Sequence, residues 1–501
     1  MTNSGLDRFN ALRQLMKENP LAENDAHSAL KHFDDHNAEH LNELKELVRI
    51  PSISFPGFDP APLKRCAGAV AALLTKSGLA DVRIIETGAG YPAVFGQWIG
   101  APGKPTILLY AHYDVQPIGR EELWTTPPFD PSEREGRLYG RGVSDDKAGV
   151  VMHAASVRSY LASVGSLPVN VKILIEGEEE VGSTNLDTLL KKHRELLSAD
   201  VVLIADSGNF DSGIPSLTAS LRGIVTVNVE VRSLASSVHS GAWGGPLPDP
   251  ALALSKMLAS LVDEQGNPAI PGLLNKVRAQ TPRELSDLNN LPFTESTYRK
   301  QSKLLEGARI IGGEGSVYEK TWHRPSISVN AIEASSRKQA ANIINDAAWA
   351  RVGIRTVPDM DPEETLELLK DHLLKQAPWG VRVTMESETP SQWWHTDTSG
   401  PAFEAALKAL EKGYGKKPVV LGAGGSIPFV RTITDALGNV PALLFGVGDP
   451  YTAAHSENES VLISDWEKGC RSLIILFSEL AELNAIRAPE NAALYNAIDF
   501  S

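Results

Sequence analysis

Residues 106–114 read Thr106-Ile107-Leu108-Leu109-Tyr110-Ala111-His112-Tyr113-Asp114. A short apolar run that ends in polar residues is the pattern of a strand buried on both faces. In an open α/β sheet, ligands bind beyond the carboxyl ends of such strands. A His-x-Asp there sets an imidazole where it can reach a metal and a carboxylate where it can orient the ring. On its own the tripeptide is a weak signal that more often marks a structural role.

Working outward, Val171-Lys172-Ile173-Leu174-Ile175 and Val201-Val202-Leu203-Ile204 are two more buried-strand candidates. The Ala148 to Ala162 stretch between the first two strands is apolar with helical period. Strands alternating with helices predict an α/β domain with a mixed, largely parallel sheet and helices on both faces. Past Ser216 the texture changes. Val225-Thr226-Val227-Asn228-Val229-Glu230-Val231 alternates with period two, which predicts an antiparallel, half-exposed strand. A polar, helix-rich stretch covers about 250–320. Strand candidates 327–330, 350–355 and 381–385 and a helix over 362–376 complete an inserted α+β domain. After about 390 the α/β texture returns, with helices over 401–413 and 463–483 and a strand at 442–445. The expected divisions are 1–215, with a helical N-terminal extension, 216–390 for the insert, and 391–501.

The extension reads as helix from residue 6 to about 50, with Leu12, Leu15 and Met16, then Leu41, Leu44 and Leu47, at helical spacing. Its His32, His36 and His40 recur at i, i+4, i+8, a spacing that can ligate a metal on one face. The interleaved Asp34, Asp35 and Glu39 favour a solvated face instead.

Composition narrows the function. The chain has 501 residues, 42% of them hydrophobic, enough for a sizeable core. Its net charge of −14 argues against a nucleic-acid-coating or anionic-membrane-binding surface. Two cysteines cannot build a disulfide framework or a Cys-rich zinc site and fit a reducing compartment. The N-terminus has no basic region followed by an apolar run, and no stretch approaches about 18 apolar residues. These features predict a cytoplasmic protein with no secretory signal and no transmembrane helix.

The other strand exits carry chemistry too. Gly140-Arg141-Gly142-Val143-Ser144-Asp145-Asp146-Lys147 is a glycine-punctuated turn opening a helix, with two adjacent carboxylates that repel unless compensated. Strand 171–175 runs into Glu176-Gly177-Glu178-Glu179-Glu180-Val181-Gly182-Ser183, a self-repelling acidic run that a divalent cation would relieve. Asp206 ends the next strand, and Ala454-His455-Ser456-Glu457-Asn458-Glu459 follows the last one. Two histidines and several carboxylates, without cysteine, are a donor set for zinc, manganese or cobalt.

These motifs, together with Val238-His239-Ser240-Gly241, resemble in kind and order the M20 metallopeptidase family, including carboxypeptidase G2-like enzymes and carnosinase-type dipeptidases. The resemblance covers the chain from about residue 40. It implies that His112 and Asp206 hold one divalent ion, that Glu180 and His455 hold another, and that Asp145 bridges both. The ions would be zinc, with manganese or cobalt as alternatives. Asp114 would orient His112, and Glu179 would be the general base acting on a metal-bridging water. The Asp145-Asp146 peptide would be cis. Arg355, on an insert strand, would bind the substrate carboxylate, with Gly425 and Ser426 lining the substrate. His239 would reach the neighbouring subunit's site and stabilise the oxyanion, in a homodimer formed through the insert. The implied reaction is metal-dependent hydrolysis of the peptide bond of a dipeptide or similar small substrate. An N-acyl-amino-acid deacylase of the same family is the alternative.

Two positions depart from the pattern. Ala148 stands where the family commonly has glycine. Gly422-Ala423 precedes Gly424-Gly425-Ser426-Ile427-Pro428, where carnosinase-like members carry Arg-Glu. A serine hydrolase using Ser240 or Ser426 would need a Gly-x-Ser-x-Gly elbow, and none lies at a strand-to-helix turn. A metal-loaded binding protein would not need Glu179.

Overall fold

The computed structural model describes residues 20–88 and 90–483. The start of the expected N-terminal helix, with Leu12, Leu15 and Met16, lies outside the described residues. Two compact units emerge. The first comprises the chain up to Thr218, Asp397–Val420 and the chain from Thr432. The second comprises Ala219–Thr396 and Leu421–Arg431.

The first unit is built on a mixed sheet. Its strands run in the order Ala80–Ile85, Ala93–Trp98, Asn170–Glu176, Thr106–His112, Val201–Ile204 and Ala442–Leu444. The last four pair in parallel, with Tyr110 opposite Leu174 on one side and Ile204 on the other. Leu444 then pairs antiparallel with Thr218. The Ala80–Ile85 and Ala93–Trp98 strands form an antiparallel flank that the periodicity did not reveal. The central strands are buried along nearly their whole length, as their unbroken apolar runs require.

Helix Lys147–Ser163 is buried from Lys147 to Tyr160. It has no solvent face because helices Pro20–Val48 and Ile463–Ala481 and strand Thr106–His112 all pack on it. Small residues permit that approach: a Cβ on Gly149 would lie 2.6 Å from the Ala205 Cβ. Its first residue, Lys147, is fully buried and donates to the carbonyls of Leu47 (3.0 Å) and Ile50 (2.8 Å). The lysine of the Asp-Asp-Lys turn therefore ties the turn to the end of helix Pro20–Val48.

The second unit carries a four-stranded antiparallel sheet, ordered Ser326–Glu333, Ala347–Thr356, Gly223–Arg232, Arg382–Ser387. Val225, Val227, Val229 and Val231 are buried together with Ala350, Val352 and Ile354, which is why the sequence alternates there. The helices Pro250–Ala259 and Pro362–Lys375 cover that face with Ala253, Leu254, Met257, Leu366, Leu369 and Leu373. Each opens on an aspartate cap followed by proline, Asp249 and Asp361.

The segment Leu421–Arg431 reads in sequence as part of the final α/β stretch, 391–501, yet it clusters with the second unit. The cause is local. Arg222 donates from its backbone N to Gly425 O (3.1 Å) and from Nε to Gly424 O (2.9 Å).

Candidate active site

The strand exits of the first unit converge. The Asp145–Asp146 peptide is cis. His112, Glu179 and Asp206 form one donor group and Asp145, Glu180 and His455 another, with the donor atoms of each group within 4.8 Å of one another. Asp145 faces both histidines. Its Oδ1 lies 3.1 Å from His112 Nε2, and its Oδ2 lies 2.9 Å from His455 Nε2. His455 Nε2 is also 3.3 Å from Glu180 Oε2. One carboxylate thus has an imidazole on each oxygen. Imidazole nitrogens and carboxylates, without thiolate, fit a borderline divalent cation such as zinc.

Asp114 does more than orient a ring. Its Oδ1 lies 3.4 Å from His112 Nδ1, whose nearer contact is the Asp114 carbonyl at 3.1 Å. Its two oxygens also accept from the backbone N–H of Glu179 (3.1 Å) and Glu180 (3.0 Å). One buried carboxylate thus fixes donors from two different strand exits. Gln116, unremarked in the sequence reading, donates from Nε2 to Glu180 Oε2 at 2.7 Å.

The acidic run divides. Glu179 and Glu180 enter the donor groups, whereas Glu176 and Glu178 do not. Glu176 accepts from the Tyr110 hydroxyl. Glu178 accepts from Tyr91 N (3.1 Å) and Asn185 N (2.7 Å), holding the loop closed. Hydrogen bonds thus draw Glu176 and Glu178 out of the donor groups, and burial pushes the Glu176 carboxyl up to about 8. Gly177 is required at the bend, because a Cβ there would sit 2.2 Å from the Tyr113 hydroxyl.

Burying so many charges shifts their protonation. Burial and the nearby Asp145 push Asp206 up to about 7. Burial pushes Glu179 well above the ordinary glutamate value; His112 opposes this, and Asp206 and Glu180 add to it. Burial disfavours the charged ring of His112, yet Asp114 and Asp145 raise it well above the ordinary histidine value. Burial also works to raise Asp145, but His112 and His455 hold it below the carboxylate range. Asp145 and Glu180 push His455 up to about 11.

The remaining sequence candidates lie in the second unit. Arg355, half-buried, donates from Nη1 to the Ser426 hydroxyl at 2.7 Å, and burial lowers its pKa. Gly425 is exposed, and no atom lies within 4 Å of where its Cβ would be. His239 is exposed and caps the short helix Ser240–Trp243, its Nδ1 accepting from Gly241 N (3.0 Å) and Ala242 N (3.2 Å). An accepting Nδ1 places the proton of the neutral ring on Nε2, which is left as a donor. His32, His36 and His40 form no donor group among the described residues. The rings of His32 and His36 stack at 4.1 Å, and His40 packs on Phe33.

Known proteins are similar to this chain in sequence and in fold. Residues 108–478 match peptidase family M20/M25/M40. The chain belongs to that family. A cysteinylglycine-S-conjugate dipeptidase of Corynebacterium striatum is 35% identical over 360 residues, 71% of this chain and 77% of that protein. Among solved structures, the dipeptidase Dug1p of Saccharomyces cerevisiae superposes with a TM-score of 0.80 at 28% identity, covering 92% of this chain and 99% of its own. Human carnosine dipeptidase 1 gives 0.80 at 26% identity, covering 91% and 99%. This M20 chain is accordingly a metallopeptidase, a hydrolase acting on a C–N bond. The two donor groups, His112, Glu179 and Asp206 and Asp145, Glu180 and His455, are the residues that would hold divalent ions, which when bound would lower the pKa of a water and polarise a carbonyl. Asp114 holds the backbone of Glu179 and Glu180, and burial keeps the Glu179 carboxyl well above the ordinary glutamate value beside His112 and Asp206.

Proposed function

We propose that this M20 peptidase is a dipeptidase that uses two divalent ions, zinc in the first instance. The observation that carries the proposal is Asp145 standing between His112 and His455, with Glu179 beside His112 and Asp206. In this reading His112 and Asp206 hold one ion, Glu180 and His455 hold the other, and Asp145 bridges them. Glu179 is the general base. Arg355 binds the free carboxylate of the substrate, with Gly425 and Ser426 lining the same place, because a planar guanidinium takes a carboxylate on two hydrogen bonds. His239 donates from Nε2 to the oxyanion of a partner subunit's substrate, within a homodimer built through residues 216–390. The relatives, a cysteinylglycine-S-conjugate dipeptidase and a carnosine dipeptidase, support dipeptides as the substrate class. Two buried free cysteines, Cys66 and Cys470, support a cytoplasmic location; no helix of the described residues is long and apolar enough to cross a membrane.

The test is a steady-state comparison of Cys-Gly and β-Ala-His with N-acetyl amino acids, after chelation and after reloading with zinc, manganese or cobalt. Dipeptide hydrolysis that is abolished by the chelator and restored by metal is expected. Faster turnover of the N-acetyl amino acids would replace the dipeptidase reading with the deacylase one.

A further inference from the structure

A carboxylate outside both donor groups joins the loops that carry Asp145 and His455. Glu459 is completely buried. Its Oε2 accepts from Arg141 Nη1 (2.7 Å) and Gly142 N (2.8 Å), and its Oε1 accepts from Ser144 N (3.0 Å) and Asp145 N (3.1 Å). Gly140 N donates to the Glu459 carbonyl at 3.0 Å. Arg141, 1% exposed, reaches the other way: its Nη2 donates to Ser456 O (3.0 Å) and Pro117 O (3.1 Å). Its guanidinium lies 5.5 Å from the Trp124 ring.

The placement is specific. Arg141 lies four residues before Asp145, and Glu459 four residues after His455. The ion pair lies where the two loops cross, and each partner grips the backbone of the other's loop. His455 itself is exposed and stands at a left-handed φ of 61°. Its distances to Asp145 and Glu180 therefore depend on how the loop around it is seated. Exposed contacts from Glu457 to Arg120 and from Asn458 to Thr125 and Leu123 hold the loop's outer side. Such surface pairs contribute little. A buried ion pair is also a poor source of net stability, because desolvating both charges offsets most of their attraction. What a carboxylate accepting four hydrogen bonds supplies is fixed geometry.

We propose that Glu459 and Arg141 are positioning residues that set the separation of the Asp145 carboxylate from the His455 imidazole. They thereby set the metal affinity of the Asp145–Glu180–His455 group. This rests on the reading of those three residues as metal donors. A purely structural pair would lower stability and leave metal affinity unchanged.

The experiment titrates zinc into metal-free protein against a chromophoric chelator, for wild type, Glu459→Gln and Arg141→Lys, beside melting temperatures of the metal-free forms and kcat and KM for a dipeptide. Partners that orient metal ligands typically contribute about 10–100-fold in affinity. Glu459→Gln is expected to weaken one zinc-binding event by that factor and to leave the other near wild type. Its kcat should fall at limiting zinc and recover at excess zinc, with KM unchanged. Arg141→Lys keeps the charge facing Glu459 but loses the fork to Ser456 and Pro117. It is expected to shift the same binding event by a smaller factor, and it decides the matter if Glu459→Gln does not fold. Wild-type affinity for both zinc ions in a folded variant, whatever its melting temperature, overturns the proposal. Wild-type protein that binds no zinc would instead overturn the metal reading on which it rests.

Discussion

Glu179 is the residue whose chemistry is most sharply exposed to test. It lies in a donor group with His112 and Asp206, its backbone N–H held by Asp114, its carboxyl kept high by burial. Glu179→Gln retains the shape and removes the proton acceptor. General acid–base groups contribute roughly 10²–10⁴-fold in rate. The variant should fold, retain its metal and lose at least a hundredfold in kcat, as read by steady-state kinetics and metal analysis on one sample. More than about a tenth of wild-type kcat would assign the base to another group. His112, Glu179, Glu180 and Asp206 were legible because each follows an apolar run that reads as a buried strand, and strand ends in a parallel sheet collect on one edge; Asp145 and His455 lie in loops and were picked out by the family motifs. The family motifs pointed to Glu179 and Glu180, but why these glutamates of the acidic run converge was not legible in composition or spacing. That depends on Tyr91, Tyr110 and Asn185, whose hydrogen bonds draw Glu176 and Glu178 away. Glu459 was equally silent: four residues past a histidine, it looks like any loop carboxylate until folding brings Arg141 against it.

Among the elements, helix Lys147–Ser163 shows both what the sequence declares and what it hides. Its apolar period marks a helix, and its lack of a polar face marks burial on every side. The flanking strands Ala80–Ile85 and Ala93–Trp98 were harder to see, because Asp81 and Arg83 interrupt the first at its solvent-exposed edge and Gly96 and Gln97 cut short the apolar run of the second. The helix also carries a titratable group with a definite consequence. His153 is fully buried, its Nε2 donating to Tyr110 O at 3.0 Å and its Nδ1 without a partner. Burial pushes its pKa down to about 4, against the pull of the Tyr110 carbonyl. The unfolded chain, with an ordinary histidine near 6.5, binds the extra proton between these values. The neutral ring's contribution to stability is therefore complete above about pH 6.5 and is lost as pH falls towards 4, amounting to roughly 3 kcal/mol. His153→Gln keeps a donor for Tyr110 and does not titrate. Denaturant unfolding at pH 6.5 and pH 4.5 should show the wild type losing about 2–3 kcal/mol more than the variant, and parallel losses would show that His153 is already charged in the fold.

At the scale of the whole molecule, the metal donors belong to one compact unit and His239 and Arg355 to the other. His239 is an exposed helix cap whose Nδ1 is occupied by Gly241 and Ala242, which leaves only Nε2–H to act on anything else. A preorganised donor of that kind is worth about 2.7–4 kcal/mol at a developing oxyanion, so His239→Ala should reduce kcat by about 10²–10³-fold. If the histidine serves the partner subunit, the loss is one that another chain can repair. Glu179→Gln and His239→Ala homodimers are each nearly inactive. In a heterodimer, the subunit bearing His239→Ala keeps its own Glu179 and receives an intact His239 from its partner. Random exchange of equal amounts makes half the dimers mixed, each with one competent site, so about a quarter of wild-type activity should return. Exchange is verified independently with differently tagged chains recovered together. Mixed dimers that form and stay inactive would confine His239 to its own subunit or remove it from the reaction.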